Sequence, residues 1–307
     1  MEELISVIIP VYNVSDYIDE AIGSIIKQTG VNFEVIIVDD CSSDDTYEKV
    51  KRWVDKFDCI KVYKNKSNMK ICKTLNFALS MSQGSYIARF DGDDISVTTR
   101  LEKQLKFLKE NSLDLVGCQM IAINADGEHM VRGHMPIGIH SVIESSRYSS
   151  PIAHIWLAKR DVYDSLNGYR EIPYAEDYDF ILRALDMGYL CDNHGEHLML
   201  IRHREGNTAS SASLIQRKAH KYVLELHNRR VKHKSNEDQF NEDELNHRLR
   251  SWSITIFLHR ISTQLLSSAY NEKTLSIKVI KTLLSCLLSY YNLEYLINRF
   301  LFKKRFT

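Results

Sequence analysis

The chain has no excess of charge of either sign: forty lysines and arginines stand against forty aspartates and glutamates in 307 residues. That balance argues against a protein that grips nucleic acid through its overall charge, although a local basic patch stays open. Its six cysteines, Cys41, Cys59, Cys72, Cys118, Cys191 and Cys286, contain no Cys-x-x-Cys pair and no regular spacing. Neither a zinc knuckle nor a disulfide framework is suggested, and a reducing, cytosolic setting fits best. No apolar run reaches the roughly 20 residues that a spanning helix needs. Met1-Glu2-Glu3 leads straight into an apolar strand, without a basic n-region or a small-residue cleavage site, so no secretory signal is read.

What is present is ample material for a core, 44% of the residues being hydrophobic, at a length that suits one large or two small domains. Up to residue 118, short β-branched runs alternate with amphipathic segments. Ile5–Ile9, Phe33–Val38, Cys59–Tyr63, Ser85–Phe90 and Leu113–Cys118 read as strands. Between them, Ile18, Ala21, Ile22, Ile25 and Ile26 recur at helical spacing, and Asp45–Val54, Lys73–Met81 and Thr99–Lys109 read as further helices. Continuous apolar strands separated by helices imply an α/β fold, a mainly parallel sheet covered on both faces.

Ligands of such sheets bind beyond the carboxyl ends of the strands. Those ends carry Pro10-Val11-Tyr12-Asn13, Asp39-Asp40-Cys41-Ser42-Ser43-Asp44-Asp45 and Asp91-Gly92-Asp93-Asp94. Three polar, acid-rich loops therefore share one edge. Asp and Gly are ordinary turn residues, so one such loop could be a solvated turn. Three together suit a nucleotide and a divalent cation, which give clustered carboxylates a partner.

Residues 119–170 are less regular. A helix follows from Glu176-Asp177 to Gly188, in which Asp177, Ile181 and Ala184 fall on one face. Asp177 at its start is either a functional carboxylate or a plain helix starter. After residue 213 the chain turns helical and amphipathic, with a polar stretch around Ser235–Glu244 that reads as an exposed turn or helix end. Residues 273–307 hold seven basic side chains against Glu294 alone, a net of +6 beside dense Leu, Ile, Tyr and Phe. That pattern fits an interfacial helix on an anionic membrane, or a helical cap with a solvated basic end.

In this order and spacing, Ile5–Asn13, Val38–Thr46, Ile87–Ser96 and Glu176–Phe180 resemble the family 2 glycosyltransferases of the GT-A fold. The resemblance covers residues 4 to about 210. It implies a Rossmann-like GT-A sheet flanked by helices, with residues 1–118 as the nucleotide-sugar half, 119–212 as the acceptor half and 213–307 as a helical extension. It further implies an inverting transferase using a nucleotide-diphosphate sugar donor, with uridine the expected base and deoxythymidine or guanosine left open. Pro10, Tyr12 and Asp40 would line the nucleoside pocket. Asp91 and Asp93 form the D-x-D signature and the metal side of the site, Asp93 being the expected direct ligand of Mn²⁺ or Mg²⁺ and Asp91 or Asp94 contacting ribose or a bound water, and Asp177 would be the general base. His203 would complete the metal shell, or Arg202 or Arg204 would bind the diphosphate, although many relatives carry Tyr-Arg-x-His where this chain reads Ile201-Arg202-His203-Arg204. His154 lies where the family often has His-Pro and reads as a core or acceptor-cleft histidine, while Trp156, Tyr169 and Tyr174 could stack on sugar or fill core.

Similar bacterial enzymes extend lipid-linked surface polysaccharides from the cytosolic face of the inner membrane, so the resemblance implies a glycan or lipid-linked acceptor and no nucleic-acid partner. Two other readings stay open on the sequence. A nucleotidyltransferase would want a Gly-rich basic loop after the first strand, which Pro10-Val11-Tyr12-Asn13 is not. A non-catalytic sugar-binding module would have no need of both Asp93 and Asp177.

Overall fold

The computed structural model describes residues 3–204, 213–233, 239–270 and 272–306. The expected division between residues 212 and 213, and residues 235–238 of the polar stretch, lie outside them.

The first half alternates as its pattern predicts: β1 (Leu4–Val11), α1 (Ile18–Ile26), β2 (Asn32–Asp39), α2 (Thr46–Val54), β3 (Ile60–Lys64), α3 (Lys70–Met81), β4 (Tyr86–Arg89), the two-residue β5 (Ile95–Ser96) and α4 (Arg100–Glu110). Strands here are apolar throughout because both faces are covered. Val7, Ile9, Val35 and Ile37 point into one core with Ile18, Ile22 and Ile25 of α1. Ile8, Ile36 and Val38 point the other way, against Cys72, Leu75 and Ala78 of α3.

The second half adds β6 (Leu115–Ile123), β7 (His129–Arg132), α5 (Ile139–Ser145), β8 (Leu157–Lys159), α6 (Arg160–Leu166), α7 (Glu176–Asp186) and β9 (Cys191–Arg202). The strand order is β3-β2-β1-β4-β8-β6-β9-β5, with β7 on β6. From β3 to β4 all pairings are parallel. The expectation of a mainly parallel sheet is corrected beyond that point: β8 runs antiparallel to both β4 and β6, and β5 antiparallel to β9. Only β6 and β9 pair in parallel there. The three residues of β8 are too few to show a period, which is why Leu113–Cys118 read as the next member of the parallel series.

Five helices close the described chain: α8 (Ser213–His233), α9 (Glu242–Leu249), α10 (Ser253–Tyr270), α11 (Leu275–Leu288) and α12 (Tyr290–Phe306). Asn241 caps α9, its Oδ1 accepting from Glu244 N at 2.9 Å. Ala219, Tyr222, Val223 and Leu226 of α8 share a buried cluster with Tyr178 and Leu182 of α7. At its edge Asp186 accepts from Arg230 Nε at 2.5 Å and meets His227 Nδ1 at 2.7 Å. The start of the helical region is thus a cap on the α/β unit.

Candidate active site

The three acid-rich loops do meet at the carboxyl ends of β1, β2 and β4. Side chains stitch the first two together: Ser42 Oγ accepts from Asn13 N at 3.0 Å, Asn13 Oδ1 from Ser43 N at 2.9 Å, and Asp44 Oδ2 from Ser15 N at 3.1 Å. Asn13 and Cys41 hold positive φ, of 50° and 64°. Left-handed backbone at such residues is uncommon, and here the cross-loop bonds sustain it. Beside these loops opens a cleft of about 370 Å³ lined by Asn13, Ser15, Asp16, Tyr17, Asp44 and Arg204.

Of the residues expected around a nucleoside, Pro10 is buried at the end of β1 and Tyr12 is half exposed. Asp40 is buried and engaged: Oδ1 accepts from Met69 N at 2.7 Å and Asn65 Nδ2 at 2.8 Å, and Oδ2 from Lys70 N at 2.9 Å. It anchors the entry to α3 and keeps a lone pair on Oδ2 for one further donor.

Gly92 lets the carboxylate turn pack down on β1, since a Cβ there would approach Val11 Cγ1 to 2.7 Å. The turn's three carboxylates then diverge. Asp93 Oδ2 accepts from Arg204 Nε at 2.8 Å. Asp94 is buried, with Oδ1 accepting from Arg202 N at 2.9 Å. Asp91 faces His154 Nε2 at 3.2 Å and Arg89 Nε at 3.6 Å.

Ligand atoms of Asp91, Asp94 and His154 all lie within 4.8 Å of one another. Among the described residues, Asp91 Oδ1 and Asp94 Oδ2 are buried without a hydrogen-bond partner. Two buried carboxylate oxygens held only by the longer ion pairs to Arg89 and His154, with an imidazole that can give up its proton to a metal, suit a hard divalent cation, so the residues present fit Mn²⁺ or Mg²⁺. The cluster differs from the expected set of Asp93, Asp91 and His203. His203 is exposed and tied by its backbone N to Ile123 O at 2.7 Å, outside the cluster. His154, read as a core or cleft histidine, stands inside it.

Charge in this cluster is uneven. Burial pushes Asp94 up to a pKa of about 6, helped by the charges of Asp91 and Asp93 and opposed by His154. Burial would raise Asp91 as well, but the charges of Arg89 and His154 hold it well below the usual carboxylate range. Burial disfavours the His154 imidazolium, yet Asp91 outweighs it and lifts the pKa to about 10. One carboxylate is firmly anionic while its neighbour is easily protonated.

Arg202, expected at the diphosphate, is occupied in the scaffold. Its guanidinium donates to Asp93 O at 2.9 Å, Ala125 O at 2.8 Å and Glu20 Oε2 at 2.5 Å, and it stacks over Tyr17. Arg204 is the arginine that lines the cleft.

Asp177 sits partly exposed in the first turn of α7, its Oδ1 accepting from Tyr178 N at 2.7 Å. Its neighbour Glu176 takes the Arg89 guanidinium at 3.1 Å, so one buried arginine joins Asp91 to the helix that presents Asp177. Burial works against the Arg89 charge, but Asp91 and Glu176 overcome it and keep the pKa well raised. Trp156 and Tyr169 lie beneath this guanidinium as core side chains, while Tyr174 is partly exposed. Arg89 went unassigned on the sequence, although its signal was there: a lone charge in an otherwise apolar strand.

Residues 6–171, more than half of the chain, match glycosyl transferase family 2. The chain belongs to that family. It is a glycosyltransferase. Over 216 residues it is 32% identical to the O-antigen biosynthesis glycosyltransferase WbnJ of Escherichia coli, covering 68% of this chain and 84% of that protein. EpsE of Bacillus subtilis, named as a glycosyltransferase, is 35% identical over 204 residues, 64% of this chain and 72% of its own. Among solved structures, Staphylococcus aureus TarS 1-349 with UDP-GlcNAc aligns at a TM-score of 0.62 and 20% identity, covering 99% of this chain and 91% of that one. The mannosyltransferase PcManGT of Pyrobaculum calidifontis, with GDP-Man and Mn²⁺, aligns at 0.58 and 19% identity, covering 98% and 85%. At that identity the likeness shows the fold: this family 2 chain has the GT-A architecture, with its helical region appended.

Proposed function

We propose that this glycosyltransferase moves a sugar, with inversion, from a uridine-diphosphate hexose or N-acetylhexosamine to a hydroxyl of a lipid-linked glycan. The setting is surface polysaccharide assembly at the cytosolic face of the membrane. One observation carries the reading: the Arg89 bridge, 3.6 Å to Asp91 and 3.1 Å to Glu176, sets a carboxylate-rich sheet edge beside the helix start that presents Asp177. The name of WbnJ, which refers to O-antigen biosynthesis, supports the acceptor class.

Asp91 and Asp94, with His154, would hold Mn²⁺ or Mg²⁺, which when bound supplies positive charge to the departing diphosphate. Arg204, in the cleft wall, supplies a guanidinium for the same phosphates once it leaves Asp93. Pro10, Tyr12 and the free lone pair of Asp40 Oδ2 line the nucleoside side. A sugar hydroxyl is a weak nucleophile at neutral pH, so Asp177 accepts its proton as the oxygen attacks the anomeric carbon opposite the diphosphate. A single displacement inverts the centre, and an α-linked donor yields a β-linked product.

A panel of nucleotide sugars assayed for donor turnover with Mn²⁺ identifies base and sugar together. Asp177→Asn should lower transfer by about 10²- to 10⁴-fold and leave donor affinity within about twofold. Parallel loss of donor binding would assign Asp177 a structural role and sink the proposed mechanism.

A further inference from the structure

The last helices pack with their polarity reversed. Between α10 and α11 the seam is polar: Ser262 Oγ donates to Ser285 O at 2.8 Å and Ser285 Oγ to Ser262 O at 2.9 Å. Asn292 Nδ2 donates to Ser262 Oγ at 2.6 Å, and His259 Nδ1 meets Ser289 Oγ at 2.7 Å. All five of these residues are buried. On the outside of α11, Ile280, Leu283, Leu284 and Leu287 are exposed, Leu287 by 83%. Trp252, Ile254 and Phe257 are exposed at the end of α10 that these seam bonds place beside Ser289.

In water, leucines turned inward and serines outward would remove more apolar surface. Small polar side chains in the seam with leucines outside is how helices pack in hydrocarbon. At 1.5 Å per residue α11 is about 21 Å long, short of the roughly 30 Å of a bilayer core. Among the described residues no helix is long and apolar enough to cross a membrane. Lys278 on α11 itself and Arg299, Lys303, Lys304 and Arg305 on α12 are exposed, a charge complement to anionic headgroups.

We propose that α11 lies within one leaflet of an anionic bilayer, its Leu283–Leu287 face among the acyl chains and the flanking basic residues at the phosphates. The inference rests on the membrane setting of the proposed function and deepens it by naming the inserting element. Insertion of apolar area withstands salt, whereas adsorption of a basic segment does not.

Full-length protein is sedimented with phosphatidylcholine–phosphatidylglycerol vesicles at low salt and at about 0.5 M salt. Wild type should bind at both, with Trp252 fluorescence quenched by brominated acyl chains. Leu283→Glu/Leu287→Glu should cut binding about tenfold at both, with circular dichroism and turnover of a water-soluble acceptor unchanged. Lys303→Glu/Lys304→Glu should weaken binding at low salt alone. If the leucine variant binds like wild type and the charge reversal releases the protein, α11 is not inserted, yet the membrane setting stands. A wild type that ignores vesicles overturns both, and if it is then a dimer that Leu283→Glu/Leu287→Glu splits, a second copy covers the face.

Discussion

Gly92 and Arg89 show how single residues build this site. Any side chain at Gly92 pushes the carboxylate turn off Val11, Val14 and Ile18. Gly92→Ala should therefore cost about 1–3 kcal/mol, as overpacking does, read as a lower urea midpoint at unchanged slope. Arg89→Met strands Glu176 and removes one of the two cations that face Asp91. Removing one partner of a buried ion pair typically costs about 3–5 kcal/mol, so this variant should be the less stable of the two in the same titration. The carboxylates of the turn were legible in sequence because Asp and Gly cluster at a strand end. Their division of labour was not, because it depends on His154, Arg202 and Arg204, which come from elements distant in the chain.

Among the elements, α10 and α11 bear on a question that composition left open. Dense leucine beside lysine described either a cap or a membrane helix. The polar seam of Ser262, Ser285 and Asn292 supports the membrane reading proposed above, and sequence could not supply it because hydrophobic period alone does not say which face turns inward. Burial lowers the His259 pKa to about 4, with Arg217 adding to the effect. A histidine depressed in the folded state contributes stability above its unfolded pKa near 6.5, lost as pH falls through the folded value. Proteolysis between residues 253 and 289 should thus accelerate as pH falls from 6.5 towards 4, and His259→Gln should flatten the dependence. The short β8 belongs at this scale too: its place between β4 and β6 is a tertiary choice that three residues cannot announce.

At the scale of the whole molecule, the helical cap and the α/β unit share one buried cluster across the boundary expected at residue 212. A chain ending there leaves Tyr178 and Leu182 of α7 without Tyr222, Val223 and Leu226. A 1–212 fragment should aggregate or melt well below the full chain, whereas one ending at 273 keeps the cluster and should melt close to it, both read by calorimetry. Bound cation should stabilise the full chain by mass action, about 2.7 kcal/mol at one hundred times its Kd. Mn²⁺ should accordingly raise the Tm of wild type, chelator should reverse the rise, and His154→Ala should abolish most of it. By itself, the sequence determined the alternation of strand and helix and the sheet edge on which the carboxylates stand, because side-chain period and turn chemistry are local. Tertiary structure alone decided which charges meet there and which face of the last helices is turned outward, because those depend on partners that linear order leaves far apart.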